Sequence, residues 1–589
     1  MMPTTAGKPL DFPPMKKSPA LLLALAMLGG CQNWAATHGT AAPAAAEAPT
    51  TPPAPPVVYG SFTEETLYSL LTAELAGQRN RFDIALDNYV TQAQKTQDPA
   101  VAERAFRIAE YMGADQSALQ TSLIWARSAP ADLDAQRAAA IALARSGRYD
   151  ESMAYMERVL QGKGDTHFDF LALSAAETDQ ATRDGLLHGF ERLLAKYPGN
   201  GQLIFGKALL LQQDGKAQEA LTLLERNPPK DEEIAPLLLR ARLLQNLDRG
   251  SEAVPLLDKA VRKAPEDKRL RLALARTLVE QNRIEDAKVQ FQVLLQQNPD
   301  DDELRYSLAL VCLEAKAWDE AEGYLNDLVT RGAHVDSAHL NLGRVAEEHN
   351  NPQQALSQYA LVGPGTDYLP AQLRQADILT ANGQAAEASR RLAAQRAANP
   401  DYAAQLYLVE AETLADNNRN DQAWAVLQTA LGKFPGDSNL LYTRAMLAEK
   451  RGDLGQLEAD LRSILQREPD NAMALNALGY TLSDRTDRIA EAKALIEKAH
   501  QLIPDDPAVL DSLGWVNYRL GNLEAAETLL RQALAQFPDH EVAAHLGEVL
   551  WVRGKQREAR QVWGNALKDQ PDSPTLRSTL LRLTGSEKP

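Results

Sequence analysis

Residues 507–539, PAVLDSLGWVNYRLGNLEAAETLLRQALAQFPD, decide the fold. Leu510, Leu513 and Gly514 recur at helical spacing, Gly521 interrupts them, and Ala526, Leu530 and Ala533 resume the spacing until Pro538 stops it. This is a helix, a turn and a second helix. The same pattern returns along the chain at Ala85, Ala118, Ser152, Leu186, Ala220, Ala253, Ala287, Ala321, Ala355, Ala388, Ala423, Leu457, Ala492, Ala526 and Ala559, with gaps of 33 to 35 residues. One helix pair cannot bury its own apolar face, so a period this steady predicts an all-α superhelical solenoid of about 15 stacked pairs.

The next unit repeats the pattern with Leu546, Gly547, Ala559, Trp563, Ala566 and Pro571. The preceding one uses Leu478, Gly479, Ala492, Ile496, Ala499 and Pro504, with one extra residue near Thr486. These residues resemble the tetratricopeptide positions 7, 8, 20, 24, 27 and 32, where the small side chains let neighbouring helices approach closely. Leu186 and Leu457 depart from that rule and mark degenerate units.

Local signals agree with the long period. Asn80, Gly147, Gly215, Asn282, Asn350, Gly383, Asn418, Gly452, Gly521 and Gly554 fall where a left-handed residue ends the first helix of a pair. Pro-Asp follows the second helix at Pro299-Asp300, Pro400-Asp401, Pro469-Asp470, Pro504-Asp505, Pro538-Asp539 and Pro571-Asp572, where proline stops one helix and the acid is expected to cap the next. Leu361-Val362-Gly363-Pro364-Gly365-Thr366 interrupts a second helix, so 361–369 is either a joint or a rigid longer turn.

The N-terminus carries an address. Met15-Lys16-Lys17 and the apolar run Ala20–Gly30 form a signal of 11 apolar residues, too short for a bilayer that needs about 20. Leu28-Gly29-Gly30-Cys31 resembles the lipobox of bacterial lipoproteins, which implies translation from Met15, cleavage before Cys31 and lipidation of Cys31. Gln32 replaces the aspartate of inner-membrane retention, which favours the periplasmic face of the outer membrane. Residues 31–60 then form an Ala/Pro/Thr-rich tether, 61–571 the array, and 572–589 a capping helix and tail.

Composition narrows the function classes. The chain is 44% hydrophobic and 24% charged, with a formal charge of −17 and no basic stripe with interleaved aromatics, which argues against nucleic acid. With Cys31 lipidated, Cys312 stands alone in an apolar run and reads as a small buried hydrophobe. The candidate catalytic motifs are incomplete. Gly201–Ala208 fits most of a phosphate loop but puts Ala208 where magnesium needs a hydroxyl, and it opens a repeat helix. His540, Glu541 and His545 miss zinc-protease spacing by one residue, and His334, His339 and His349 are scattered and read as solvated. No metal, cofactor or catalytic residue is expected.

By the tetratricopeptide resemblance, positions 5, 9, 12 and 13 of each first helix face the concave groove. That selects Asp511, Trp515, Tyr518 and Arg519, with Trp551 from the next unit and Tyr480 from the preceding one, as protein-binding residues. Trp, Tyr and Arg are the usual interface anchors. The competing role for them is packing between neighbouring units. Residues Leu67–Arg79, Asn476–Leu482 and Asp511–Val516, with the lipobox, resemble the outer-membrane tetratricopeptide lipoproteins of pseudomonads that bind a periplasmic carboxyl-terminal processing protease. The resemblance implies a non-catalytic adaptor that assists the protease and brings it substrates, including cell-wall cross-link hydrolases. The alternative is a scaffold for envelope assembly, such as pilus or polysaccharide export.

Overall fold

The computed structural model describes residues 62–230 and 233–588. The signal segment, Cys31 and the tether lie outside the described residues. Within them the chain forms 31 α-helices and one short 3-10 turn at Pro400–Tyr402, with no strand. The helices make fifteen successive pairs, from Glu64–Gln78 with Phe82–Thr96 to His540–Val552 with Gln556–Asp569, and a closing helix Pro574–Thr584. The fold is an all-α repeat. Two compact units divide between Ala317 and Trp318, and the 361–369 segment falls inside the second.

In both units the sequence period is the packing period. All fifteen anchor residues sit on the second helix of their pair and are at most 5% exposed, including Leu186 and Leu457. The small residue facing an anchor has no room to grow: a Cβ on Gly514 would stand 2.6 Å from Leu530 Cγ and 3.4 Å from the Ala526 carbonyl. At the degenerate Leu186 unit the first helix shortens to seven residues, Phe168–Ser174.

The ten residues expected to end first helices all have positive φ, between 55° and 81°. Gly113, Asp248 and Lys316 do the same and were not anticipated. Lys is uncommon in that conformation, so residue type does not flag Lys316. The Pro-Asp junctions need a correction. Only Asp539 caps the following helix itself; at four other junctions the cap is one residue later, at Asp301, Asn471, Asp506 and Ser573. The backbone N–H of each of those four bonds the carbonyl three residues back, as Asp301 does to Asn298 at 3.1 Å, so Pro-Asp fills the middle of a β-turn and the next residue is presented as the cap. Asp401 caps nothing, because Pro400–Tyr402 is itself the 3-10 turn.

The second unit contains the interrupted segment. Its helix Pro352–Tyr359 has only eight residues, after which Val362 turns inward and the Gly363 N–H donates to Asp336 Oδ1 at 2.8 Å. At the far end, Leu576 and Leu580 of Pro574–Thr584 close the apolar cluster around Trp563 and Val549.

Candidate functional site

Successive first helices of the second unit lie side by side, so equivalent positions form rows. Position 9 is occupied in turn by Arg344, Asp377, Glu412, Met446, Tyr480, Trp515 and Glu548, and by Arg582 in the closing helix. The row changes chemistry halfway.

Its C-terminal half is a lattice of paired groups. Trp515 stacks on His545 of the next first helix at 4.3 Å and 27°, and meets the Tyr518 ring at a tilt at 5.0 Å. His545 Nδ1 donates to Asp511 at 3.0 and 3.1 Å, while its Nε2 stands 3.4 Å from Tyr480 Oη. Tyr518 Oη donates to Glu548 at 3.0 Å, and Glu548 in turn accepts both arms of Arg582, one at 2.8 Å. Burial opposes a charge on His545, but Asp511 beside it outweighs that and raises its pKa. Burial, then Asp484 and Asp511, push the Tyr480 phenol far above its ordinary value, and burial with Glu548 holds Tyr518 at about 12. Trp515 Nε1 is buried and has no hydrogen-bond partner.

The structure thus brings Tyr480, Asp511, Trp515 and Tyr518 together, but not as open anchors. Trp515 is 6% exposed and Asp511 is buried in an ion pair, so these two serve the packing between neighbouring units. Arg519 is exposed, with its guanidinium bonded to the carbonyls of Ser483 and Asp484. Trp551 is apart from the lattice, half-buried against Trp563 with Arg560 over its ring at 5.2 Å. Three central members escaped the sequence reading. Glu548 and Arg582 were legible, since both hold position 9, whereas His545 was set aside by motif spacing when its partner is a carboxylate 34 residues away.

After Arg344, the N-terminal half of the row holds two poorly paired carboxylates, Asp377 and Glu412. Asp377 accepts from Thr413 Oγ1 at 3.1 Å and lies 3.6 Å from Arg374, which is shared with Glu347. Glu412, half-buried beside Asp377 and Asp416, has no hydrogen bond or ion pair among the described residues. Burial, then Asp416 and Asp377, raise its pKa to about 7. Burial likewise raises Asp377, Asp416 and Glu449.

Elsewhere the surface is simpler. The opening helix of the first unit exposes Leu67, Tyr68, Leu71 and Leu75 along its length, a contiguous apolar stripe. Cys312 is fully buried, and Gly201–Ala208 lies within the helix Gly201–Gln213. Of the three scattered histidines, His339 is corrected: it is buried, with Nδ1 2.7 Å from Gln358 Oε1, because its face meets the second helix of its own pair. His334 forms the left-handed turn before Val335–Glu348. His349 lies near the surface with Asp319 and Glu322, their potential ligand atoms within 4.8 Å of one another.

Comparison with known proteins agrees with the repeat. The tetratricopeptide repeat family matches residues 248–311 and 485–550. The chain is 64% identical over 575 residues to TPR repeat-containing protein PA4667 of Pseudomonas aeruginosa, covering 98% of each. It is 27% identical over 541 residues to cellulose synthase operon protein C of Pseudomonas fluorescens, covering 80% of this chain and 41% of that one. Among solved structures, yeast Tom70 aligns with 86% of this chain and 92% of its own at 13% identity, with a TM-score of 0.32.

Proposed function

The chain belongs to the tetratricopeptide-repeat family that includes TPR repeat-containing protein PA4667, and from that membership we propose an outer-membrane lipoprotein adaptor for a periplasmic carboxyl-terminal processing protease. Tetratricopeptide repeats are protein-interaction scaffolds. On this reading the scaffold carries no catalytic step of its own. It holds the protease on one surface and a substrate, such as a cell-wall cross-link hydrolase, on another, which makes cleavage nearly intramolecular. Lipid on Cys31 and the 31–60 tether keep the array at the membrane.

The observation that carries the reading is the apolar stripe Leu67, Tyr68, Leu71 and Leu75, exposed among the described residues on the helix that opens the array. Contiguous exposed apolar surface marks a protein-interaction site. Affinity purification from envelopes tests it: the protease is expected to co-elute with the native chain and to be lost from a Leu67→Asp, Leu71→Asp variant whose helix content is unchanged. Undiminished capture by that variant removes the stripe from the argument, and no protease with the native chain removes the adaptor. Cys31→Ser is expected to abolish lipid labelling and outer-membrane recovery.

The likeness to a protein of a cellulose synthase operon favours a second reading, an envelope-assembly scaffold. Secretion-channel components in the same eluate would select it.

A further inference from the structure

Consecutive repeats meet where the second helix of one pair begins and the first helix of the next pair ends, and this junction recurs with different side chains. Between the pairs anchored at Ala526 and Ala559 it holds two acids, Glu524 and Glu527, two residues before the anchor and one after it. Three cations neutralise them. Arg553, six residues before the next anchor, bonds both acids, while Arg531 and Lys555 reach Glu527 at 2.9 and 2.8 Å. Between the pairs anchored at Ala423 and Leu457, Arg451 takes Asp421 in the same way at 2.5 Å.

The junction between the Ala321 and Ala355 pairs keeps both acids and loses all three cations. Asp319 and Glu322 stand where Glu524 and Glu527 do, but Asn326, His349 and Asn351 stand where Arg531, Arg553 and Lys555 do. Among the described residues Asp319 pairs only with His349, at 3.6 Å, and Glu322 accepts only from the amide of Gln354, at 3.4 Å. No lysine or arginine reaches either carboxylate, although like charges three residues apart on one helix repel.

What replaces the guanidinium is a donor. One imidazole nitrogen and two carboxylate oxygens are the ligand types of zinc and its transition-metal neighbours. Asp319 and Glu322 share a face in the first turn of Trp318–Arg331, and His349 meets them from the end of Val335–Glu348. Their potential ligand atoms all lie within 4.8 Å of one another. A tetrahedral ion about 2.0 to 2.2 Å from each ligand holds them roughly 3.4 Å apart, so His349 and Asp319 are near that spacing already. The widest gap closes by at most about 1.4 Å, and the Asp319 side chain, 96% exposed, loses no packing when it turns. Ligands 27 and 30 residues from the histidine belong to a different repeat, so spacing along one helix does not show them.

We infer that Asp319, Glu322 and His349 bind a divalent transition-metal ion, zinc in preference to magnesium or calcium, which fastens the Ala321 pair to the Ala355 pair as Arg553 fastens the pairs at its own junction. The imidazole sets the preference, because magnesium and calcium take oxygen ligands. Three protein ligands leave a tetrahedral ion a fourth position for water.

The test is calorimetric titration of the purified full-length chain, stripped with chelator, with zinc, magnesium or calcium chloride. Zinc is expected to bind more tightly than either alkaline-earth ion. His349→Ala, and separately Asp319→Asn with Glu322→Gln, are expected to weaken it at least about tenfold. His188→Ala removes an exposed histidine elsewhere and is expected to leave it within about twofold. His349→Arg rebuilds the arginine junction: it is expected to lose zinc binding and to unfold at no lower a temperature than the metal-free native chain. Zinc should slow hydrogen exchange over residues 318–359 in the native chain and not in the His349 variants. Absence of zinc binding, binding untouched by His349→Ala or by the carboxylate pair, an equal loss in His188→Ala, or magnesium binding as tight as zinc overturns the inference. Circular dichroism on each variant separates a lost ligand from a lost fold, and none of these outcomes bears on protease capture.

Discussion

Two halves of one row of side chains behave oppositely. From Tyr480 to Arg582 the first helices of the second unit pair most of their groove charges, and Tyr480, Asp511, Trp515 and Tyr518 join one repeat to another. From Asp377 to Glu449 the first helices carry carboxylates with raised pKa values, Asp377, Glu412, Asp416 and Glu449, of which Glu412 has no partner among the described residues. The helices and the register are alike, so the difference lies in what each half satisfies internally. A satisfied polar network rigidifies; an unsatisfied one is held at a cost to stability.

The largest effect that sharpens this contrast is expected from Trp515→Ala. Its ring stacks on His545 and meets Tyr518 at a tilt, and truncating a buried tryptophan costs about 3 to 5 kcal/mol. Hydrogen exchange should show residues 507–584 losing protection while 335–450 keep theirs. Uniform loss would mean that the halves are not energetically separate.

Ala526→Trp acts beneath the same lattice, at a fully buried anchor on Gly514, and overpacking there should cost about 1 to 3 kcal/mol. Nearest-neighbour coupling again predicts local loosening, read by the same exchange experiment. An unchanged exchange pattern would mean that the helix pair has space the structure does not contain.

Asp511→Asn is expected to cost about 1 to 3 kcal/mol by stranding buried His545. It should also change the pH profile. His545 has a folded pKa above its usual 6.5, so its stabilisation is complete below pH 6.5 and is lost as pH rises through the folded value. Urea midpoints of the native chain should fall over that interval, and the Asn variant should show a shallower fall. A parallel profile would assign His545 a neutral, purely packing role.

The smallest effect has the opposite sign. Glu412 is raised from 4.5 to about 7, so its stabilisation is present below pH 4.5 and disappears as pH climbs through 7. Glu412→Gln should therefore raise the unfolding free energy from urea titration at pH 8, by roughly 0.5 to 1 kcal/mol, and leave it nearly unchanged at pH 5. Destabilisation at pH 8 would show that Glu412 is already paired and that the halves do not differ.

The sequence by itself determined the repeat. Anchor spacing, left-handed turn residues and proline stops are local or strictly periodic, and a helix obeys them whatever lies beyond its neighbour. Fifteen anchors and ten turn residues fell where the spacing put them. Even the Pro-Asp junctions were located, and only their capping residue was misplaced, because a β-turn depends on the residue after the motif as well as on the motif. The tertiary structure alone decided which groove residues are free. Trp515 was equally an anchor or a brick until His545, 30 residues on, closed over it, and Glu412, already one turn from Asp416 on its own helix, became unusual only when Asp377 of the preceding first helix came near and no cation did. Burial and charge pairing depend on side chains a whole repeat away, and a pattern that says where each helix lies is silent on which neighbours reach across.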